Sequence, residues 1–183
     1  MSLPKNFQMM AHYNQRINRQ LLTICRQQPG ALLNQPTGSF FETIIDYWNH
    51  LLFGDLILLG RLADNRIANF SPEILAGLPT PQSPTDRYFE SLDELIDARQ
   101  QLDQLIITFC QQLTEQDCTT HIRYTTTEGD EISKLAGDVI QHLFNHQTHH
   151  RGQLTCVMSQ FGIDYACMDL PVVVSEGSAV SAN

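Results

Sequence analysis

The tightest constraint on this fold lies between Gln141 and Gly162, where QHLFNHQTHHRGQLTCVMSQFG reads as one long helix. It carries His142, His146, His149 and His150, four of the chain's 7 histidines. An α-helix advances about 100° per residue, so His146 and His150 leave the same face one turn apart. Two imidazoles at that spacing can chelate one transition metal, as paired helical histidines do in zinc proteases; the bland alternative is a coincidence of surface or core. Leu135, Val139, Leu143, Leu154 and Val157 share that side of the helix, which turns the histidines towards a core. Burying imidazoles without partners is costly, and a metal ion removes the cost.

Three more helices are available to pack against it. From Asn6 to Gln28, Phe7, Met10, Tyr13, Ile17, Leu21 and Ile24 recur at threes and fours, and Pro29-Gly30 ends the pattern. Ser39, with Glu42 at capping-box spacing, predicts a second helix from Phe40 to Leu62 that is apolar around most of its circumference. Four prolines between Ala63 and Thr85 make that stretch an ordered crossover. A third helix is predicted from Thr85 to Leu113, with Arg99 and Asp103 as a solvated i,i+4 pair. Alternation around Glu128-Gly129-Asp130 predicts a short hairpin, after which the fourth helix runs from Ser133 to Phe161-Gly162. The fold class is therefore all-α: a four-helix bundle with a crossover long enough for helices two and three to run parallel. At 183 residues and 42% hydrophobic content the chain can bury one core, so residues 1–170 are expected to form a single domain and 171–183 a partly disordered tail.

Charge narrows the partners. A net charge of −9 and a pI near 5.0 carry the wrong sign for a phosphate backbone and argue against nucleic acid as a partner. No apolar run is long enough to span a bilayer. The 5 cysteines (25, 110, 118, 156 and 167) are scattered without a CxxC pair, which fits reduced thiols in a cytoplasmic protein, each serving as a small buried hydrophobe.

His50, in the middle of helix two, is the best third ligand. Its face holds Thr43, Asp46, Tyr47, Phe53, Gly54, Ile57 and Arg61, and the missing side chain of Gly54 leaves room beside a bound metal or substrate. The competing reading is a core histidine bonded to Asp46; beside an HxxxH pair the ligand is favoured. Three neutral imidazoles with open positions suit a catalytic divalent ion, with zinc, nickel and iron as candidates. His142 is a candidate outer contact or alternative ligand, and His149, rotated off the pair, a packing residue. Arg151 is expected to pair with Asp55, Gln153 to lie near a substrate, and Gly152 to permit close helix packing. Gln147 stands where a zinc protease has its glutamate base, and there is no ExxH pair for a di-iron site. Lewis-acid activation of water or of a thiol remains, with Asp46 as general base or, more simply, as the group that orients an imidazole.

The segments YNQRINRQLL, YWNHLLFGDLILLGRL, LDELIDARQQLDQLI and above all HLFNHQTHHRGQL resemble the DinB-like (DinB/YfiT) superfamily of bacterial metal-binding helical proteins. The resemblance covers nearly the whole ordered chain; Tyr165 departs from it, standing where many relatives have proline. It implies an up-down-down-up bundle, a divalent site on His50, His146 and His150, and a homodimer. Helix two's apolar surplus agrees with a dimer, unless the crossover covers it. Relatives include thiol-dependent transferases and isomerases. The implied function is a metal-dependent enzyme acting on a small-molecule substrate, either a transferase using a low-molecular-weight thiol or a hydrolase. The alternative is a non-catalytic, stress-associated metal-binding protein.

Overall fold

The computed structural model describes residues 2–126 and 128–170, so the tail expected at 171–183 lies outside the described residues. Four long helices dominate: α1 (Leu3–Arg26), α3 (Ile44–Asp64), α4 (Leu92–Gln112) and α6 (Ala136–Gln160). Two short ones, α2 (Gly30–Leu33) and α5 (Glu115–Thr119), were not legible as periodic segments because each is a single turn or little more. The expected hairpin is present, β1 (His121–Thr125) pairing antiparallel with β2 (Glu131–Leu135). α1 packs mainly on α4 and α3 mainly on α6, with α3–α4 and α1–α6 contacts completing the circuit. Among the described residues no helix is long and apolar enough to cross a membrane.

Capping chemistry decides where these helices start. α3 is capped by Thr43, not Ser39: Thr43 Oγ1 accepts from the Asp46 amide at 3.2 Å and donates to the Asp46 carboxylate at 2.7 Å. Ser39 is engaged elsewhere, 2.8 Å from the Tyr47 hydroxyl. α4 likewise waits for Ser91, whose hydroxyl accepts from the Glu94 amide. Ser133 belongs to β2, opposite Arg123, so α6 opens only at Ala136. At that start Gly137 lets the helix approach α5 closely, since a Cβ there would stand 2.9 Å from the Cys118 carbonyl. Gly152, expected to serve close packing, has nothing within 4 Å and is exposed.

The crossover covers helix two. Two 3₁₀ turns, Ile67–Asn69 and Pro72–Leu75, bring Ile67, Ala68 and Phe70 into the core. Every apolar side chain of α3 except the half-exposed Ile57 is buried within its own chain. The surplus therefore does not call for a second copy. Phe40, expected to open this helix, precedes it and is 78% exposed. Of the cysteines, Cys25, Cys110 and Cys118 are buried as expected, and burial pushes the Cys25 thiol up to about 11. Cys156 and Cys167 are exposed, because their helix and loop positions face solvent.

The core holds a polar network that periodicity did not reveal. Arg99, expected at the surface, is fully buried, 2.6 Å from Asp55 Oδ2 and 2.9 Å from Asp103 Oδ1. Burial works against its charge, but the two carboxylates outweigh it and hold the guanidinium above its ordinary value. Asn18 donates to Asp103 at 3.0 Å and Gln147 to Asp55 at 2.6 Å. Arg151 meets Asn14, Asn18 and Gln147 rather than Asp55, whose Oδ2 is taken by Arg99 and Gln147.

Removing one partner from such a network strands the others' charges away from water. Arg99→Ala should lower unfolding free energy by about 3–5 kcal/mol, read from urea denaturation. Arg26→Ala, which breaks only the exposed Arg26–Asp93 pair, should leave the urea midpoint unchanged.

Candidate metal centre

Helical register brings the three predicted histidines together. His50 comes from the middle of α3, and His146 and His150 from one face of α6, the helix packed against it. His50 Nε2 lies 3.0 Å from His150 Nε2 and 3.2 Å from His146 Nε2. All three donor atoms fall within 4.8 Å of one another, a group that could hold a metal ion. Ligands about 2.1 Å from one ion stand about 3.0–3.4 Å apart for angles between octahedral and tetrahedral. The two closest separations match that span.

Proton placement makes the same point. The Pro84 carbonyl can only accept, so His50 Nδ1, 2.9 Å away, carries the proton and Nε2 presents a lone pair. His150 Nδ1 donates to Gln153 Oε1 at 2.8 Å, which leaves its Nε2 in the same state. Two acceptors therefore face each other at 3.0 Å with no proton between them. A cation converts that repulsion into ligation. His146 Nδ1 is buried without a hydrogen-bond partner.

Electrostatics keep the rings neutral, the form that binds metal. Burial, then the neighbouring imidazoles, pushes His146 down to about 3. Burial and His50 bring His150 down to about 4, against the opposing hydrogen bond to Gln153. His50 is lowered by burial despite its bond to Pro84. The wall is aromatic: the Phe41 ring lies tilted 4.2 Å from that of His50 and edge-on 5.7 Å from that of His150.

Several assignments change. Asp46 does not touch His50; it caps α3 with Thr43 and faces Arg87 at 3.5 Å, so Pro84 orients the imidazole instead. The space at Gly54 is filled by the His146 ring, three atoms of which come within 3 Å of where a Cβ would stand. Gln153 positions His150. His142 and His149 are exposed; their rings lie 6.2 Å from His146 and 4.7 Å from His150. Asn49 was missed: its side chain accepts from the Tyr88 and Phe89 amides and donates to the Phe89 carbonyl, pinning the chain just after Pro84. Its place one residue before His50 was a usable signal. For the Pro84 carbonyl, 34 residues away, the sequence offered none.

Fold and site together define a mainly helical protein with a three-histidine centre between two of its long helices. The DinB family model matches residues 1–176, and the chain belongs to the DinB family. It is 22% identical over 157 residues to Protein DinB of Bacillus subtilis (strain 168), a match spanning 86% of this chain and 87% of that relative. No solved structure gives a significant match.

Gly54→Ala tests the fit of the His146 ring. The added methyl must displace it, so zinc affinity measured by competition with a chelator should fall by at least about tenfold. Helicity by circular dichroism should persist, since alanine favours the helix.

Proposed function

We propose that His50, His146 and His150 hold one divalent transition ion, zinc, nickel or iron, and that the protein is a metal-dependent enzyme using a low-molecular-weight thiol. The observation that carries the reading is the convergence of three imidazole nitrogens, with His50 Nε2 3.0 Å from the unprotonated His150 Nε2 and 3.2 Å from His146 Nε2. A bound ion acts as a Lewis acid at its open position, lowering the pKa of a thiol or water there. The chain supplies orientation and shelter. Pro84 and Gln153 fix two of the ring tautomers, Gly54 admits the third ring, and Phe41 excludes water from one side.

Thiol chemistry is preferred to hydrolysis because, among the described residues, the group of convergent donors is all imidazole and includes no carboxylate to serve as a base for water. A metal-lowered thiol needs no such base to be nucleophilic at neutral pH. The same reading takes α1, α3, α4 and α6 as an up-down-down-up four-helix bundle, one domain across 1–170, in a cytoplasmic protein. It extends to a homodimer, carried by the family resemblance now that α3 is covered by its own chain.

Metal-stripped protein titrated with cobalt(II) should bind one ion per chain. His50→Ala, His146→Ala and His150→Ala should each weaken binding by at least about a hundredfold while circular dichroism stays unchanged, because the apolar core does not depend on them. Conjugation of cysteine to 1-chloro-2,4-dinitrobenzene, and then of other small thiols to other electrophiles, should stop on chelation and return with metal. One bound ion without turnover on any pair would leave the non-catalytic reading.

A further inference from the structure

A cavity of about 890 Å³ opens beside α3, walled by the crossover and by β1. Its size is that of small-molecule pockets, about 300–1,000 Å³. None of its lining residues is one of the three histidines. Ile57, Leu75, Leu78 and Pro79 give it an apolar side, while Arg61, Arg123 and Asp64 bring charge to it. His50 and Arg61 share one face of α3, separated by three turns or roughly 16 Å, so the cavity is a place of its own along that helix.

Arg61 is the unusual group. It is half-buried, its guanidinium carbon 4.2 Å from the centre of the Tyr124 ring, and among the described residues it makes no ion pair. Asp64, one turn on and exposed, does not neutralise it. Burial lowers its pKa, and the Tyr124 ring only partly compensates. A half-desolvated guanidinium that lies over an aromatic face, lines the cavity and has no ion-pair partner among the described residues suits a bidentate anion. The wall opposite is held in place: Asn65 accepts from the Arg123 amide at 3.1 Å and donates to its carbonyl at 2.9 Å, tying β1 to the end of α3.

We propose that this cavity binds a small organic carboxylate, its apolar body against the α3–crossover wall and its carboxylate on Arg61, with Arg123 adding positive charge at the rim. A monocarboxylate suits the balance of two guanidiniums and one aspartate better than a dicarboxylate or a phosphate ester. The site stands apart from the histidine centre and does not require that centre's reading to be right.

Isothermal titration of the full chain with octanoate, against octanamide as the uncharged match, tests it. Octanoate should bind at one saturable site and octanamide at least about tenfold more weakly. Arg61→Gln should cost octanoate a similar factor. Gly60→Leu gives a second route: a Cβ at Gly60 meets only Leu75 Cδ1, at 3.8 Å, so the larger side chain can grow into the cavity and block binding without straining the helix. His150→Ala should leave octanoate affinity unchanged. Equal binding of acid and amide, no saturable binding by folded wild type, insensitivity to both cavity variants, or loss of binding in His150→Ala would each overturn the proposal. The last would put the carboxylate at the histidines.

Discussion

Two carboxylates and two guanidiniums buried between the long helices set how α6 is rotated, and the rest of the site follows from that rotation. Asp55 comes from α3, Arg99 and Asp103 from α4, Arg151 from α6, and α1 adds Asn14 and Asn18. Buried ion pairs add little net stability over well-packed apolar residues, since desolvation offsets their attraction. Their weight here is in register. Turn α6 by one residue and Gln147 and Arg151 leave Asp55, Asn14 and Asn18, stranding charge in the core. With those two side chains fixed, His146 and His150, each one residue earlier and about 100° around the helix, present themselves to His50.

The histidine centre inverts that logic. In the network Arg99 lies between two carboxylates and Arg151 among amide oxygens; at the centre the lone pairs of His50 and His150 face each other. Nearby donors and acceptors enforce the mismatch, because Pro84 and Gln153 hold the protons of His50 and His150 on the far nitrogens. Burial, and then the neighbouring imidazoles, resist protonation of the near ones. Such an arrangement is unfavourable alone and favourable around a cation, which is the usual condition of a metal site assembled before its metal arrives.

Much of this was legible in the sequence because it is periodic. The four long helices, the hairpin and the HxxxH face all follow from spacing, and His50 was reachable as the imidazole on a largely apolar helix. What failed was chemistry that depends on depth. Arg99 and Asp103 at i,i+4 look the same on a solvated face as in a core, and only the tertiary partner Asp55 distinguishes them. Asp46, one turn before His50, seemed its natural partner, yet as the third residue of the helix it is drawn to the Thr43 cap. Gly54 announced a missing side chain without saying that a ring from another helix would occupy the space.

The crossover shows why so proline-rich a segment belongs in this chain. It covers the outer side of α3 with Ile67, Ala68 and Phe70, supplies the Pro84 carbonyl to His50, and walls the cavity through residues 72 to 82. A flexible segment would lose much entropy on being held to three tasks at once, whereas proline has already given up part of that freedom in the unfolded chain. Its carbonyl remains a full acceptor while its nitrogen donates nothing, so Pro84 orients His50 and brings no N–H of its own that would need a partner beside the centre. Asn49 closes the arrangement from the helix side, binding the backbone at Tyr88 and Phe89. Orientation of the His50 imidazole thus rests on adjacent residues of α3, one holding the loop and the next using it.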